Sequence, residues 1–336
     1  MRNIFEYKNN FIDNSSIKYH LLYDGLNCIQ EPEVSVIIPC FKRTDYLELS
    51  IKSAIEQDYK GRYEIVICDN TPLNEDSSNI EIVKKFNDSR ILYYRNEENI
   101  GMLGNWNRLI ELARAPFVVF LHDDDILLPT ALTDLVSIQR KFNADGVTAA
   151  HNEIDSTGSI VKKAVQPSNK RKLFIFKHKI ESRATLFDLF MGVKGGFGCG
   201  CLYRRESLIK IGGFSPDFYP SADYALNSIM AKDFKLYYTY KPTFLYRIAA
   251  NESFTVYKKF SEVDLHFRTC MKTYIQLPNF LLDRLITALY RTQTIKFKIK
   301  WEGDNGTLKS QLRRDDLWLC RIINLFRSLF NDMSIF

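Results

Sequence analysis

"VSVIIPCFKRTDYLELSIKSAIEQDYKGRYEIVICDN", residues 34–70, is the stretch that decides the fold. It opens on a continuous apolar run rich in β-branched side chains, as expected of a strand buried on both faces. "TDYLELSIKSAIEQ" then places Leu47, Ile51 and Ile55 at helical spacing, with Thr44 as the expected N-cap. "YEIVICD" is a second buried strand. A connection of this length, carrying a helix, implies a parallel pair with a right-handed crossover. The alternation continues through "SSNIEIVKKFND" (helix), "RILYYRN" (strand), "NWNRLIELARA" (helix) and "PFVVFLHDDD" (strand), ending at residue 125. Four strands joined by helices predict an α/β fold with a mostly parallel central sheet flanked by helices.

Ligands of such sheets sit outside the carboxyl ends of the strands. Those ends read Pro39-Cys40, Asp69-Asn70, Arg95-Asn96 and His122 to Asp125. Three adjacent aspartates repel one another and are costly to bury unless a cation or hydrogen-bond donors compensate. A solvated turn is the plain explanation for such a run. Here, however, two of the four strand ends carry carboxylates, and all four should face one crevice. A carboxylate cluster in that place can hold Mg²⁺ or Mn²⁺ and leave positions for water and phosphate oxygens. No G-x-x-x-x-G-K-[ST] is present, which argues against a P-loop NTPase. "PCFKRTDYL" carries no glycine, which argues against a dinucleotide fold and against a sugar-phosphate nucleotidyltransferase.

Beyond Pro129 the reading is a helix, two strands ("GVTAAHNEI", "SIVKKAV"), the helix "ATLFDLFMG" and the glycine-rich "GVKGGFGCGCLY". A further helix, the aromatic turn "SPDFYP", the helix "SADYALNSIMAKD" and the strands "FKLYYTY" and "TFLYRI" follow. From residue 251 the chain reads as helical. This gives an N-terminal extension (1–32), a central domain (33–250) and a helical C-terminal extension (251–336). The formal charge of +6 is too mild to imply nucleic acid. Basic residues gather in "NKRKLFIFKHK" (169–179) and through the C-terminal helices, as solvated surface or as attraction to a lipid diphosphate or membrane surface. The apolar runs fall short of the ~20 residues of a membrane helix. The opening "MRNIFEYKNNFIDNSS" lacks the pattern of a signal peptide. Seven scattered cysteines, mostly in apolar strands, suggest reduced thiols and a cytoplasmic protein. Cys199 and Cys201 are spaced as a metal pair, with no second Cys/His pair nearby.

Residues 33–250 resemble family 2 glycosyltransferases of GT-A fold, enzymes that use nucleotide-diphosphate sugars. "VSVIIPCFKRTDYLELSIKSAIEQDYKGRYEIVICDNTP" is similar to the family's opening, and "NEENIGMLGNWNRLIELARAPFVVFLHDDDILLP" to the segment ending in its DxD-type metal motif. "GGFSPDFYPSADYALNSIMA" resembles the later acceptor-side segment. The resemblance implies a metal-dependent, inverting transfer from a nucleotide-diphosphate sugar, such as a UDP-sugar, to a glycan or lipid-linked acceptor in bacterial surface polysaccharide synthesis. It places Pro39, Phe41, Asp69, Arg95, Asn99 and Asp123 around the nucleotide, with Asp69 accepting from a base N–H. Asp124 becomes the chief metal ligand, Asp123 a ribose or metal contact, and Asp125 a loop stabiliser or water-mediated ligand. Asp223 becomes the general base, with Asp217 as fallback. The chain departs from the family pattern at two positions: His122 stands for the first Asp of D-x-D-D, and Ala222 for the first of an acidic pair. Those departures leave a non-catalytic binding scaffold as an alternative beside nucleotidyl transfer. In "DDLWLCRIINLFRSLF", Leu319, Ile322, Ile323, Phe326, Leu329 and Phe330 form one helical stripe flanked by Arg321 and Arg327. This is either a packing face or a peripheral contact with the inner face of the membrane.

Overall fold

The computed structural model describes residues 1–25, 31–42, 44–164, 180–192, 198–248, 253–302 and 308–330. The basic segment 169–179, the glycines of 193–197 and the side chains of Phe326, Arg327, Leu329 and Phe330 lie outside the described residues. In chain order the strands are β1 (Tyr19–Asp24), β2 (Val34–Cys40), β3 (Tyr63–Asp69), β4 (Ile91–Asn96), β5 (Phe117–Phe120), β6 (Ile126–Leu127), β7 (Gly146–Ile154), β8 (Ile160–Lys162), β9 (Glu181–Arg183), β10 (Leu202–Arg204) and β11 (Leu236–Arg247). The helices are α1 (Leu47–Ile55), α2 (Asn79–Phe86), α3 (Met102–Leu112), α4 (Ala131–Phe142), α5 (Leu186–Phe190), α6 (Arg205–Ile211), α7 (Ala222–Asp233), α8 (Ser253–Lys272), α9 (Asn279–Glu302) and α10 (Arg314–Phe330).

One sheet runs β1-β4-β3-β2-β5-β10-β7-β11-β6, with β8 on β7 and β9 on β11. The four strands expected from the apolar runs form its parallel half, β4-β3-β2-β5. Val36, Ile37 and Ile38 of β2 are wholly buried, and side chains of β2 alternate between two cores, one on each face. Burial of this kind contributes about 1.5–3 kcal/mol per large apolar side chain. β10 enters antiparallel between β5 and β7, and β7 pairs parallel with β11.

Several boundaries differ from the sequence expectation. The N-terminal segment is built into the sheet, since β1 pairs antiparallel with β4 and Ile4 is buried in a core. α1 starts at Leu47 behind Tyr46, so Thr44 does not cap it. β5 stops at Phe120, and His122 to Asp125 form a turn closed by Asp125 N–H to His122 O at 3.3 Å. "FKLYYTY" and "TFLYRI" belong to one strand, β11, which shifts register on both sides of Pro242 because proline cannot donate to the ladder. α8 and α9 pack on the sheet domain: Val263, Phe267, Met271, Leu282 and Leu285 are buried in the core that holds α3 and α7. No helix among the described residues is long and apolar enough to cross a membrane.

Gly200 sits at the approach to β10 with φ +63°, and a Cβ there would lie 2.1 Å from the ring of buried Phe244. Gly200→Ala should therefore cost about 2 kcal/mol or more. Urea unfolding checks this, and a loss below about 0.5 kcal/mol would place it with ordinary surface changes instead.

Candidate active site

The four parallel strands end along one line. At the end of β3, Asp69 is fully buried and saturated. Its Oδ1 accepts Thr71 N–H at 2.8 Å. Its Oδ2 accepts Ser77 Oγ at 2.7 Å, Asn79 Nδ2 at 3.0 Å and Tyr93 Oη at 2.7 Å. Burial, then the charges of Cys40 and Asp69, push the Tyr93 hydroxyl far up, so it stays a donor. Asp69 thus folds the loop that follows β3. Arg95 acts on the same loop: its guanidinium donates to the carbonyls of Thr71 at 2.8 Å, Pro72 at 2.5 Å and Glu75. It is spent on backbone acceptors rather than held out toward a ligand.

Beside it lies a chain of amides. Asn96 Nδ2 donates to Asn70 Oδ1 and Asn105 Oδ1, each at 3.0 Å, and Asn70 Nδ2 donates to Asn99 Oδ1 at 2.7 Å. Asn99 Oδ1 also accepts Gly101 N–H at 2.8 Å, so this exposed residue sets the entry into α3. Of this network the family resemblance gives a role to Asn99 alone, while Asn70 and Asn96 are marked in the sequence only as strand ends. Pro39 is half-buried at the end of β2 and Phe41 is exposed just beyond it.

After β5 the three aspartates separate. Asp125 turns inward and is fully buried. Its Oδ1 accepts the backbone N–H of Arg247 at 2.9 Å, and its Oδ2 lies 3.4 Å from His122 Nδ1. The Arg247 side chain donates to Asp124 O and Asp155 O at 2.9 Å and to Ser156 O at 3.3 Å, and lies 4.1 Å over the Tyr46 ring. From the other side Ser50 Oγ donates to Asp125 O at 2.6 Å, and Ser53 Oγ accepts Leu127 N–H at 3.1 Å. Asp123 and Asp124 remain half-exposed. Burial, then the charges of Asp69 and Asp123, raise the Cys40 thiol, so the ends of β3 and β5 both act on the end of β2. The donor set of Asp123 and Asp124 is all oxygen and partly open, which suits a hard divalent ion that keeps some of its water.

His122 stacks on Trp106, with ring centroids 5.2 Å apart. Burial pulls its pKa down, but the hydrogen bond and charge of Asp125, with Asp124 and Asp123 behind it, leave the net shift upward. Gly198 sits next: a Cβ on it would stand 3.6 Å from Trp106 and 3.7 Å from the Cβ of Asp223. Asp223, in the first turn of α7, accepts Gly198 N–H at 3.3 Å and Tyr224 N–H at 2.8 Å. Burial raises its carboxyl, and these two N–H groups and His122 only partly offset that. Asp223 is therefore linked to the aspartate turn through Gly198, Trp106 and His122. Asp217 lies elsewhere, in a surface ion pair with Arg2 at 2.9 Å.

The cysteine pair does not form a joint site, because Cys199 belongs to the core on one face and Cys201 to the core on the other. Cys199 Sγ instead groups with His122 and Asp125, the three ligand atoms lying within 4.8 Å. Burial and the Asp125 charge push that thiol well up, so it is held as a neutral group. Arg247 and Trp106 carry no role in the reading of the sequence, whereas Gly198 falls in the glycine-rich "GVKGGFGCGCLY", a pattern of close backbone packing. Arg247 leaves a signal as the one charged residue of "TFLYRI".

Residues 35–212 match the sequence model described as Glycosyl transferase family 2. The chain belongs to this family. It is a glycosyltransferase of GT-A fold, which supersedes the scaffold and nucleotidyltransferase alternatives. It is 29% identical over 227 residues to the GalNAc(5)-diNAcBac-PP-undecaprenol beta-1,3-glucosyltransferase of Campylobacter jejuni, covering 67% of this chain and 68% of that one. It is 31% identical over 200 residues to the UDP-Glc:alpha-D-GlcNAc-diphosphoundecaprenol beta-1,3-glucosyltransferase WfgD of Escherichia coli, covering 60% and 70%. The crystal structure of S. aureus TarS 1-349 in complex with UDP-GlcNAc shares the fold, with a TM-score of 0.58 at 17% identity over 83% of this chain and 78% of that one.

The Arg247 clamp makes a direct prediction. Arg247→Lys keeps the backbone bond to Asp125 but loses the planar fork that reaches three carbonyls. Urea unfolding should show a loss of about 1 kcal/mol or more, since part-buried carbonyls lose their donor and a wholly buried cation its partners.

Proposed function

We propose that this glycosyltransferase transfers a sugar from a nucleotide diphosphate, with UDP the nucleotide to test first, to a hydroxyl of a lipid-linked glycan, in a metal-dependent reaction with inversion. The observation that carries this reading is the division of carboxylates along one cleft. Asp123 and Asp124 stand half-open at the end of β5, while Asp223 stands alone across Gly198 and Trp106 with a raised pKa. Asp124, with Asp123, would hold Mn²⁺ or Mg²⁺, which when bound neutralises the charge of the departing diphosphate. Asp125 keeps the turn in place from within. Pro39 and Phe41 wall the nucleotide pocket, and Asn99 stands at its mouth. Asp69 and Arg95 serve the pocket by holding the 70–79 loop. The curated relatives named for diphosphoundecaprenol substrates support a lipid-linked acceptor and a part in surface polysaccharide synthesis. A cytoplasmic enzyme working at the inner face of the membrane fits that acceptor.

Inversion needs one base that takes the acceptor hydroxyl proton as the oxygen attacks C1. Asp223 meets this need, because burial raises its carboxyl, and a carboxylate with a raised pKa is a stronger base than an ordinary aspartate. Protonation removes the base, so activity falls as pH drops through the folded-state pKa. The acidic limb of kcat should therefore lie above the ordinary aspartate value of about 4. A limb below that value would contradict the assignment.

Asp223→Asn should lower kcat by about 100-fold or more while leaving nucleotide binding intact. The raised pKa means that the folded state holds this proton more tightly than the unfolded chain does. Ionisation of Asp223 thus costs stability once pH exceeds the unfolded value, and Asp223→Asn should melt no lower than wild type at pH 7. For the donor site, Asp124→Ala should lose the Mn²⁺-dependent part of UDP binding by calorimetry, with wild type in EDTA as its match. Retention of metal-dependent binding and activity in that variant would remove Asp124 as ligand.

A further inference from the structure

The start of α7 departs from ordinary capping. Ser221 occupies the N-cap position, where a serine oxygen normally accepts an N–H of the first turn. It makes no such bond. Its Oγ instead donates to Asp264 Oδ1 on α8 at 3.1 Å, with both residues buried. Asp264 Oδ2 accepts Gln293 Nε2 from α9, and Gln293 Oε1 accepts Arg268 Nη2 at 2.8 Å. Arg268, 2% exposed, sends its Nε to Phe190 O at 2.9 Å, the last residue of α5. The neighbouring carbonyl, Leu189 O, accepts Tyr224 Oη from α7. Asp223 is thus held by its own helix start, tied through Ser221 to Asp264, while Arg268 and Tyr224 fasten α5 to the same helices.

Resting on the reading of Asp223 as base, we propose that Ser221, Asp264, Gln293 and Arg268 form a positioning cluster through which the C-terminal helices fix the carboxylate of Asp223 for acceptor deprotonation. The exchange of a local cap for a tertiary bond supports this: the serine gives up a contact inside its own helix for one that couples the helix to α8. Burial raises the Asp264 carboxyl, and the charge of Asp223, within electrostatic reach, adds to that. The cluster touches none of the residues assigned to the donor nucleotide. Its loss should therefore separate turnover from donor binding.

The test uses the full chain with Ser221→Ala, Asp264→Ala, the double variant and Asp223→Asn. It reads kcat, donor KM, calorimetric UDP affinity with Mn²⁺, and thermal melting. Ser221→Ala should lower kcat by about tenfold or more, as a small misplacement of a reacting group does. Donor KM and UDP affinity should stay within about twofold of wild type, well below that loss. Because both single variants cut the same link, the double variant should lose less than the product of the two. Should Asp264→Ala fail to fold, Ser221→Ala, which removes only a hydroxyl, still decides the matter through its kcat-to-KM split. Wild-type kcat in Ser221→Ala, or a kcat loss matched by an equal loss of UDP affinity, would overturn the positioning role. An active Asp223→Asn enzyme would overturn the base assignment and this inference with it. An inactive Asp223→Asn beside an unimpaired Ser221→Ala would overturn the inference alone.

Discussion

Three consecutive carboxylates at the end of a buried strand repel one another, and here one is turned inward, where it needs donors, while the others face outward. Arg247 meets that condition. Its backbone N–H binds Asp125 and its guanidinium binds the carbonyl of Asp124, so strand and side chain together clamp the turn. A carboxylate buried without such partners would cost several kcal/mol or give up its charge. The clamp has a topological consequence. β11 must run parallel to β7 and reach the two-residue β6 immediately after the turn, which it does at Phe244 and Leu245. The long strand of the second half thus delivers one arginine to the first half's strand ends.

The parallel half of the sheet was legible because its strands are buried on both faces and must be written as apolar runs. β2, β3, β4 and β5 each begin within a few residues of their expected place. The carboxyl-end rule then gathered four strand ends that do lie side by side along one edge of the parallel half. Short antiparallel strands left no such mark. β6, β9 and β10 contribute two or three residues each, too few for a period to show, and β1 lies at an edge with mostly exposed side chains. Lys241 and Pro242 read as a break in β11, whereas the strand absorbs them as a change of register.

Residue type announced chemistry, but direction was hidden. Asp69, Arg95 and Asp125 sit at strand ends as expected, yet their polar atoms are taken up by Ser77, Asn79 and Tyr93, by three loop carbonyls, and by Arg247. A sequence shows that a charge is present and not whether its partner is the protein or a ligand. The same limit hid Ser50 and Ser53, which lie on the buried face of α1 and hold the turn from below. Small polar residues within an amphipathic helix look like ordinary surface positions. Only the packing partner shows that they carry the register between α1 and the aspartates.

The C-terminal helices pose this problem in its sharpest form. An apolar stripe such as that of α10 has the same period whether it meets lipid or protein, and Leu319 and Ile323 here pack against the core. The buried polar residues of the extension are more informative. Membrane-facing helices have no use for an aspartate, an arginine and a glutamine bonded in series across α8 and α9. Helices docked in a single register do, because a half-made network costs more than none. Apolar contacts among Val263, Phe267 and Leu285 would tolerate some sliding; the bonds from Asp264 to Ser221 and from Arg268 to Phe190 would not. The extension is therefore held at one register against the helix that carries Asp223, and that register fixes where the carboxylate points.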